Sequence, residues 1–153
     1  MGMHRWHAGH ARHAHWRHLG RGRRRLICGF LLLEKIRQFF VIAGCDAPGK
    51  AGNYYREMAQ NLPQDCVIIT SSCGKFRFND IDFGTIEGTD IPRYLDLGQC
   101  NDSNGAVEIA KALGQAVDKP INELPISIVL SWMEQKAVII LLALFSLGIQ
   151  NIY

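Results

Sequence analysis

Three cysteines and one glutamate are the side chains of this sequence whose chemistry suits a metal centre. Cys45, Cys73, Cys100 and Glu134 follow one another at intervals of 28, 27 and 34 residues, which match no zinc-site signature. Thiolates are the ligands that soft metals and iron–sulfur clusters require, and a carboxylate adds a hard oxygen ligand. A mixed set of this kind suits an iron cluster that contains oxygen as well as sulfur.

Apolar runs and helical periodicity predict that strands and helices alternate along the chain. The predicted strands are residues 39–43, 66–70 and 126–130, with the start of another at 149–153. The predicted helices are residues 53–62, 106–117 and 132–147, while residues 75–97 show no regular pattern. This alternation favours an α/β fold with a parallel, Rossmann-like sheet and flanking helices. We expect the sheet to be incomplete at both ends, because the chain stops inside its last predicted strand.

The candidate ligands lie directly after predicted strands or before a predicted helix. Cys45, Cys73 and Glu134 each follow one of the three strands, and Cys100 lies in a polar turn before a helix. Ligands of parallel sheets bind beyond the carboxyl ends of the strands. We therefore expect Cys45, Cys73 and Glu134 to lie on one edge of the sheet, where Cys100 can join them.

Simpler interpretations exist for the same residues. An isolated cysteine at a strand end is usually a small buried hydrophobic residue, and we expect this for Cys28 and Cys66. The same interpretation stays open for each of the other three cysteines taken alone. Glu134 alone would be a solvated acidic residue at a helix start, together with Lys136. Spacing by itself therefore does not establish a site.

The first 28 residues differ in composition from the rest of the chain. Residues 1–25 carry seven Arg and no acidic residue, and all six His lie within residues 1–18. The other ten basic residues and all 14 acidic ones follow, so the net charge of +3 arises from this segment. We expect a disordered or non-native leader at residues 1–28 and a truncated α/β domain at residues 29–153. A His-rich metal-binding arm, a nucleic-acid-binding arm and an Arg-rich targeting segment stay open for the leader.

Composition also argues against several classes of protein. The slightly acidic body gives no reason to expect nucleic acid as a partner. The longest apolar stretch, residues 137–147, is shorter than the roughly 20 residues that span a bilayer, so we predict a buried helix and no membrane association. The five Cys form no Cys-x-x-Cys pair and no signal peptide is visible, which indicates reduced thiols or metal ligands in the cytoplasm.

Short motifs in this sequence resemble the successive motifs of the hybrid-cluster proteins, the prismane or hydroxylamine-reductase family. In chain order they are Gly44-Cys45-Asp46, Asn53-Tyr54-Tyr55, Ser72-Cys73-Gly74-Lys75-Phe76-Arg77-Phe78-Asn79, Gly98-Gln99-Cys100-Asn101-Asp102 and Ser131-Trp132-Met133-Glu134-Gln135-Lys136-Ala137. Each motif alone is weak evidence. Their order along residues 35–153 is what carries the resemblance.

The resemblance implies an oxidoreductase that reduces hydroxylamine to ammonia and is linked to nitric oxide reduction and nitrosative stress. Cys45 matches the cysteine that can carry a persulfide, and Cys73 and Cys100 match two further ligands of a hybrid iron–sulfur–oxygen cluster. Glu134 matches the carboxylate ligand, and Lys136 a lysine that either supports a ligand or contacts the cluster. In the mechanism that follows, Lys136 or a nearby acidic residue delivers protons. Electrons would arrive from a separate redox partner through a second iron–sulfur cluster.

The sequence also departs from the family pattern. The His, Glu and Cys ligands that the family draws from an earlier domain have no matching motif here, and neither have the ligands of the second cluster. We therefore expect a fragment that carries half of the hybrid-cluster ligands. The alternatives are an inactive remnant α/β domain without a cluster, and a binding module built on the His-rich leader.

Overall fold

The computed structural model describes residues 35–153. A parallel sheet of four strands forms its centre: β1 (Gln38–Ala43), β2 (Cys66–Thr70), β3 (Tyr94–Asp96) and β4 (Ile126–Leu130). Three helices flank it: α1 (Asn53–Asn61), α2 (Ser103–Val117) and α3 (Gln135–Ser146). Short 3₁₀ segments lie at Gly49–Gly52, Cys73–Arg77, Cys100–Asp102 and Ile121–Glu123. The expectations for the leader at residues 1–28 and for Cys28 lie outside the described residues.

The strand order is β3-β2-β1-β4, with every neighbouring pair parallel. Phe40 is paired with Ile68 of β2, and Val41 with Ile128 of β4. The chain moves outward from β1 through β2 to β3 and then returns to the other side of β1. Because the direction of winding reverses there, the carboxyl ends of β1 and β4 border the crevice in which open α/β sheets bind ligands.

Alternate side chains of the strands build an apolar core on each face of the sheet. One cluster joins Phe39, Val67, Ile69 and Leu95 of the sheet to Leu113 of α2. The other cluster joins strand residues to α1 and to the connection between β2 and β3, through Ile42, Ile68, Val129, Ala59, Phe78 and Phe83. Both faces of β2 are covered, which agrees with its unbroken apolar sequence and its fully buried side chains.

The predicted parallel α/β fold is confirmed, and three strands fall where the apolar runs placed them. Only part of the strand expected at residues 149–153 forms: Ile152 makes an isolated parallel bridge with Ile128, and Leu130 N donates to the Tyr153 carbonyl at 3.0 Å. One strand was not predicted: β3 lies at Tyr94–Asp96, within the segment 75–97 that shows no regular pattern in the sequence. Three residues leave no periodic signal, and the strand forms only because β2 offers a free edge.

The helix predicted at residues 132–147 forms, but it begins at Gln135 and is not buried. Among its residues only Ala137 is buried, while Ile139, Leu142 and Phe145 are 66%, 60% and 57% exposed. The apolar run 137–145 predicts burial on every side, yet in the described part of the chain most side chains of α3 are exposed or only partly buried. No helix in this part of the chain has both the length and the apolar character to cross a membrane.

Candidate metal centre

Four loops meet at the carboxyl edge of the sheet, and each follows one strand. Cys45 lies two residues beyond β1, Cys73 three residues beyond β2, and Glu134 is the N-cap residue of α3 beyond β4. Cys100 follows β3 and opens the 3₁₀ segment before α2. Because parallel strands all end at the same edge, the fold places the loops of the four predicted ligands on one side of the sheet.

The structure brings two of the predicted ligands to the same cavity. Cys45 and Cys100, both partly buried, line a small cavity together with Ser71, Ser72 and Ser103. A larger apolar groove between α2 and α3 adjoins this cavity and shares Leu130 and Ile140 with it, among other residues. Two of the predicted ligand residues therefore line one cavity.

The other predicted residues lie at the same edge but outside that cavity. Cys73 is exposed at the start of its 3₁₀ segment. Glu134 and Lys136 are exposed at the beginning of α3, and the carboxylate of Glu134 makes no capping hydrogen bond. Within residues 35–153, no three Cys, His, Asp or Glu side chains converge closely enough to hold a metal ion. The donor types fit an iron–sulfur group, but the described residues do not by themselves form a closed ligand shell.

Backbone contacts tie the loops of Cys45, Cys73 and Glu134 together. Gly74 N donates to the Gly44 carbonyl at 3.0 Å, and Cys45 N donates to the Trp132 carbonyl at 2.9 Å. The buried hydroxyl of Ser131 donates to the Cys45 carbonyl at 3.0 Å. A Cβ atom on Gly44 would lie 2.9 Å from the Trp132 carbonyl oxygen, and the φ of Gly44 is +119°. Glycine is therefore required directly before Cys45.

Lys75 and Asp96 form a buried ion pair between the Cys73 and Cys100 loops. Lys75 Nζ lies 2.8 Å from Asp96 Oδ1 and 3.0 Å from the Gly98 carbonyl oxygen, and both side chains are at most 5% exposed. Asp96 Oδ1 also accepts a hydrogen bond from Gly98 N at 2.7 Å. Two buried charges require close mutual pairing, so this contact fixes the distance between the two loops.

Arg77, two residues further along the same 3₁₀ segment, binds the loop that follows Cys45. Its guanidinium group donates to Asp46 Oδ1 at 2.5 Å, to the Ala47 carbonyl at 2.6 Å and to the Gly49 carbonyl at 3.0 Å. A planar guanidinium presents several donors at fixed angles, which makes this a geometrically strict contact. The segment Cys73–Arg77 is thus bonded to the loops on both sides of it.

Ser72, directly before Cys73, has an unusual backbone conformation. Its φ is +70° and its ψ is −164°, a region that essentially only glycine occupies. Ser72 is buried, and its N–H donates to the Gly98 carbonyl at 2.9 Å. The surrounding contacts hold this residue in a strained conformation at the turn that delivers Cys73.

Cys66 lies at the opposite end of the sheet, as its position at the start of β2 predicts. Its side chain is fully buried, and burial is the main reason that the pKa of its thiol is raised. Asp65 reinforces this rise, whereas the guanidinium group of Arg37 opposes it. The expectation that Cys66 is a small buried core residue is confirmed.

Sequence patterns did not identify the residues that hold the loops in place. Lys75 and Arg77 belong to the motif that begins at Ser72, but the motif does not indicate that their side chains contact other loops. One signal was available: Asp96 lies between Leu95 and Leu97, and a carboxylate within an apolar run indicates a buried, paired charge. Its partner became identifiable only with the β2–β3 pairing.

Comparisons with known proteins agree with this architecture. The chain is similar to curated hydroxylamine reductases of Geobacter sulfurreducens (56% identity over 117 residues), Thermotoga maritima (55% over 119) and Yersinia pseudotuberculosis (50% over 120). These matches cover 76% to 78% of this chain but only 21% to 27% of the relatives' own length.

A solved structure and a family model complete the comparison. The crystal structure of a Ni-free carbon monoxide dehydrogenase from Thermococcus sp. AM4 superposes with a TM-score of 0.64 at 22% identity, covering 74% of this chain and 21% of that one. At this identity the likeness concerns the fold alone. The model of the Prismane/CO dehydrogenase family matches residues 31–153. Because the match covers most of the chain, this protein belongs to the Prismane/CO dehydrogenase family.

Proposed function

We propose that this chain is the cluster-binding segment of an iron–sulfur oxidoreductase that reduces hydroxylamine to ammonia. The identity of 50% to 56% to curated hydroxylamine reductases supports the activity. The observation that carries the proposal is the shared cavity of Cys45 and Cys100 at the carboxyl edge of the sheet. Cys73 and Glu134 extend from neighbouring loops at the same edge.

In this proposal Cys45, Cys73 and Cys100 bind a hybrid iron–sulfur–oxygen cluster through sulfur, and Glu134 binds it through oxygen. The thiols suit the softer iron–sulfide part and the carboxylate suits an oxygen-bridged part. In this proposal the ligands that complete the shell lie outside residues 35–153, among which no three potential ligands converge. When bound, the cluster supplies electrons and an iron that acts as a Lewis acid.

The residues of this chain then bind the substrate and move protons. Hydroxylamine takes up two electrons and two protons, its N–O bond breaks, and ammonia and water leave. Lys136 Nζ is exposed in the first turn of α3, two residues beyond the ligand Glu134, where it can donate protons to the leaving oxygen or to nitrogen. Nitric oxide is a second small substrate of the same chemical class.

Electrons come from a separate redox protein in this proposal, and we place the reaction in the cytoplasm. The cysteines of the described residues are all free thiols, which persist in a reducing compartment. No nucleic acid or membrane takes part.

A segment exchange tests the proposal. Residues 35–153 of this chain replace the matching segment of the Geobacter sulfurreducens hydroxylamine reductase, and the hybrid is purified without oxygen. We expect iron and sulfide content, cluster absorption and hydroxylamine reduction with an artificial electron donor. Cys45→Ala, Cys100→Ala and Glu134→Ala should each lose hydroxylamine reduction and alter the iron content or the cluster spectrum.

Cys66→Ala is the matched control for the cysteine variants, because Cys66 lies at the other end of the sheet. It should keep both the cluster and the activity. A folded hybrid whose iron content and cluster spectrum do not change when Cys45 and Cys100 are replaced, or that keeps full activity without them, would refute the proposal.

A second candidate is a remnant α/β domain without a cluster. The lack of three converging ligands within residues 35–153 favours it for the chain in isolation. Anaerobic reconstitution of the 153-residue chain with iron and sulfide separates the two candidates. Cluster absorption that depends on Cys45 and Cys100 supports the enzyme segment, whereas the remnant would show none, alone or within the hybrid.

A further inference from the structure

The 3₁₀ segment Cys73–Arg77 lies between the loops that carry the other two cysteines. Two of its side chains reach in different directions: Lys75 contacts the loop before Cys100, and Arg77 contacts the loop after Cys45. Gly74 adds a backbone bond to Gly44. One short segment is therefore bonded to both neighbouring thiol loops while it carries the third thiol itself.

The Lys75 contact is strict because it is buried. Its ammonium group is paired with Asp96, the last residue of β3, and also bonded to the carbonyl of Gly98, two residues before Cys100. A buried ammonium group is tolerated only with close partners, so a shift of the Cys100 loop would leave a charge without compensation. The position of this loop is thus set by an electrostatic contact rather than by apolar packing alone.

The Arg77 contact is strict because it is multidentate and confined. Three separate acceptors, on Asp46, Ala47 and Gly49, bind one planar group. A Cβ atom on Gly52 would lie 2.7 Å from Arg77 Nε, so the backbone packs closely against this side chain. The loop that begins at Cys45 therefore has little freedom to move relative to Cys73.

We propose that Lys75 and Arg77 are positioning residues that set the separation of the Cys45 and Cys100 thiols on either side of Cys73. This inference rests on the proposed function, because the separation of the two thiols matters only if they bind a cluster. The spacing itself is a property of the metal-free chain and is measured without iron.

A trivalent arsenical measures this spacing, because phenylarsonous acid binds tightly only when two nearby thiols each form an As–S bond and two waters leave. A background of Cys28→Ser with Cys73→Ser, in the full chain, leaves Cys45, Cys100 and the buried Cys66. We expect one arsenical per chain, lost in Cys45→Ser and in Cys100→Ser. Arg77→Lys, which keeps the charge but not the three bonds, should weaken binding about tenfold or more, because misplacing reactive groups by about 1 Å has large effects.

A second variant tests the buried ion pair by removing both of its charges together, so that no unpaired charge is left in the interior. Lys75→Met with Asp96→Asn removes both charges and keeps an oxygen for Gly98 N, and we again expect a loss of about tenfold or more in arsenical affinity. Arg37→Lys is the matched control, because Arg37 pairs with Asp65 at the far end of the sheet, and its arsenical affinity should stay unchanged. Urea midpoints, measured in parallel, ensure that all variants are compared fully folded.

Unchanged arsenical affinity in both folded variants overturns the proposal, as does a background chain that binds no arsenical at all. Equal losses in Arg37→Lys also overturn it, because the effect would then be one of general stability. The outcome is separate from that of the segment exchange. A hybrid whose cluster spectrum and iron content are the same with and without Cys45 and Cys100 refutes the proposed function, whereas the arsenical still reports whether Lys75 and Arg77 hold the thiols.

Discussion

Gly74→Ala tests how tightly the strand-end loops are packed. The φ of Gly74 is not positive, so alanine adopts the backbone conformation of this position without strain, and only the space for its Cβ atom is at issue. The added Cβ would lie 2.5 Å from Ser131 Oγ, 3.3 Å from the Cys45 carbonyl oxygen and 3.4 Å from that of Gly44. The hydroxyl of Ser131 must turn away, and its hydrogen bond to the Cys45 carbonyl is lost.

Three terms give the magnitude of this change. Loss of the Ser131 hydrogen bond costs about 1 kcal/mol. Overpacking against the two carbonyl oxygens costs about 1–3 kcal/mol, because backbone atoms cannot move aside as a side chain can. Alanine lowers the conformational entropy of the unfolded chain relative to glycine, which stabilises the folded state by about 0.4–1 kcal/mol. We expect a net loss of roughly 2 kcal/mol in the free energy of unfolding.

Urea denaturation followed by circular dichroism measures this loss in the full chain. A dependence of about 2 kcal/mol per molar urea converts it into a midpoint lower by roughly 1 M. Gly105→Ala is the matched control, because Gly105 lies in α2 and an added Cβ there meets no atom within 4 Å. The same substitution in a helix should raise stability by about 0.5–1 kcal/mol.

A double-mutant cycle identifies the contact responsible. Ser131→Ala alone should cost about 1 kcal/mol, since the Cys45 carbonyl loses a donor. In that background Gly74→Ala no longer meets the hydroxyl, so the double variant should cost about 1 kcal/mol less than the two single losses added together. Strict additivity, or a midpoint for Gly74→Ala as high as for Gly105→Ala, would show that the loops are not packed in this way.

Three further predictions concern stability. Ser72→Gly should raise the urea midpoint by an amount equivalent to about 1 kcal/mol, because glycine adopts the φ of +70° without strain; a lower midpoint would contradict the strained conformation. Tyr94→Phe should be neutral or stabilising by up to about 1 kcal/mol, because the Tyr94 hydroxyl is buried without a hydrogen-bond partner in the described structure, while the ring keeps its contacts with Phe78 and Phe83; a thermal midpoint lower by several degrees would argue against it. Burial raises the pKa of Cys66 and, with the nearby Asp96 charge, that of Tyr94, so the folded state retains these protons longer than the unfolded state does. The free energy of unfolding should therefore not depend on these two groups below about pH 8.5, and it should fall as the pH rises further. The Tyr94→Phe variant should still show the fall that Cys66 causes, but not the additional fall that begins near pH 10. A urea midpoint that stays constant up to pH 10.5 would contradict this prediction.

The sequence was sufficient for the two central strands, β1 and β2, because each of them contains a continuous apolar run. Cys66–Thr70 is the clearest case, since all five side chains are buried. Parallel pairing then places the residues after each strand on one edge, and this is why the positions of the Cys45 and Cys73 loops could be predicted. The prediction needed only local patterns and one topological rule.

The remaining features depend on contacts between distant segments. Tyr94–Asp96 is too short to show a strand period, and its hydrogen bonds are set by the edge of β2. The pairing of Lys75 with Asp96 depends on that same strand, so it could not be predicted before β3 was known. The exposure of α3 was missed for a related reason. Its apolar composition indicates that burial is favourable, but not which other segments are present to cover it. The ligand roles of Cys45, Cys73, Cys100 and Glu134 stay predictions.

The exposed side of α3 has a practical consequence for fluorescent-dye experiments. Ile139, Leu142 and Phe145 recur every three residues and form one apolar stripe on the surface of the folded chain. Dyes such as ANS, whose emission usually signals a loosely packed chain, would bind this stripe in the native state. Dye-based melting curves would then begin from a bright baseline, so brightness alone would not distinguish a folded sample from a molten one.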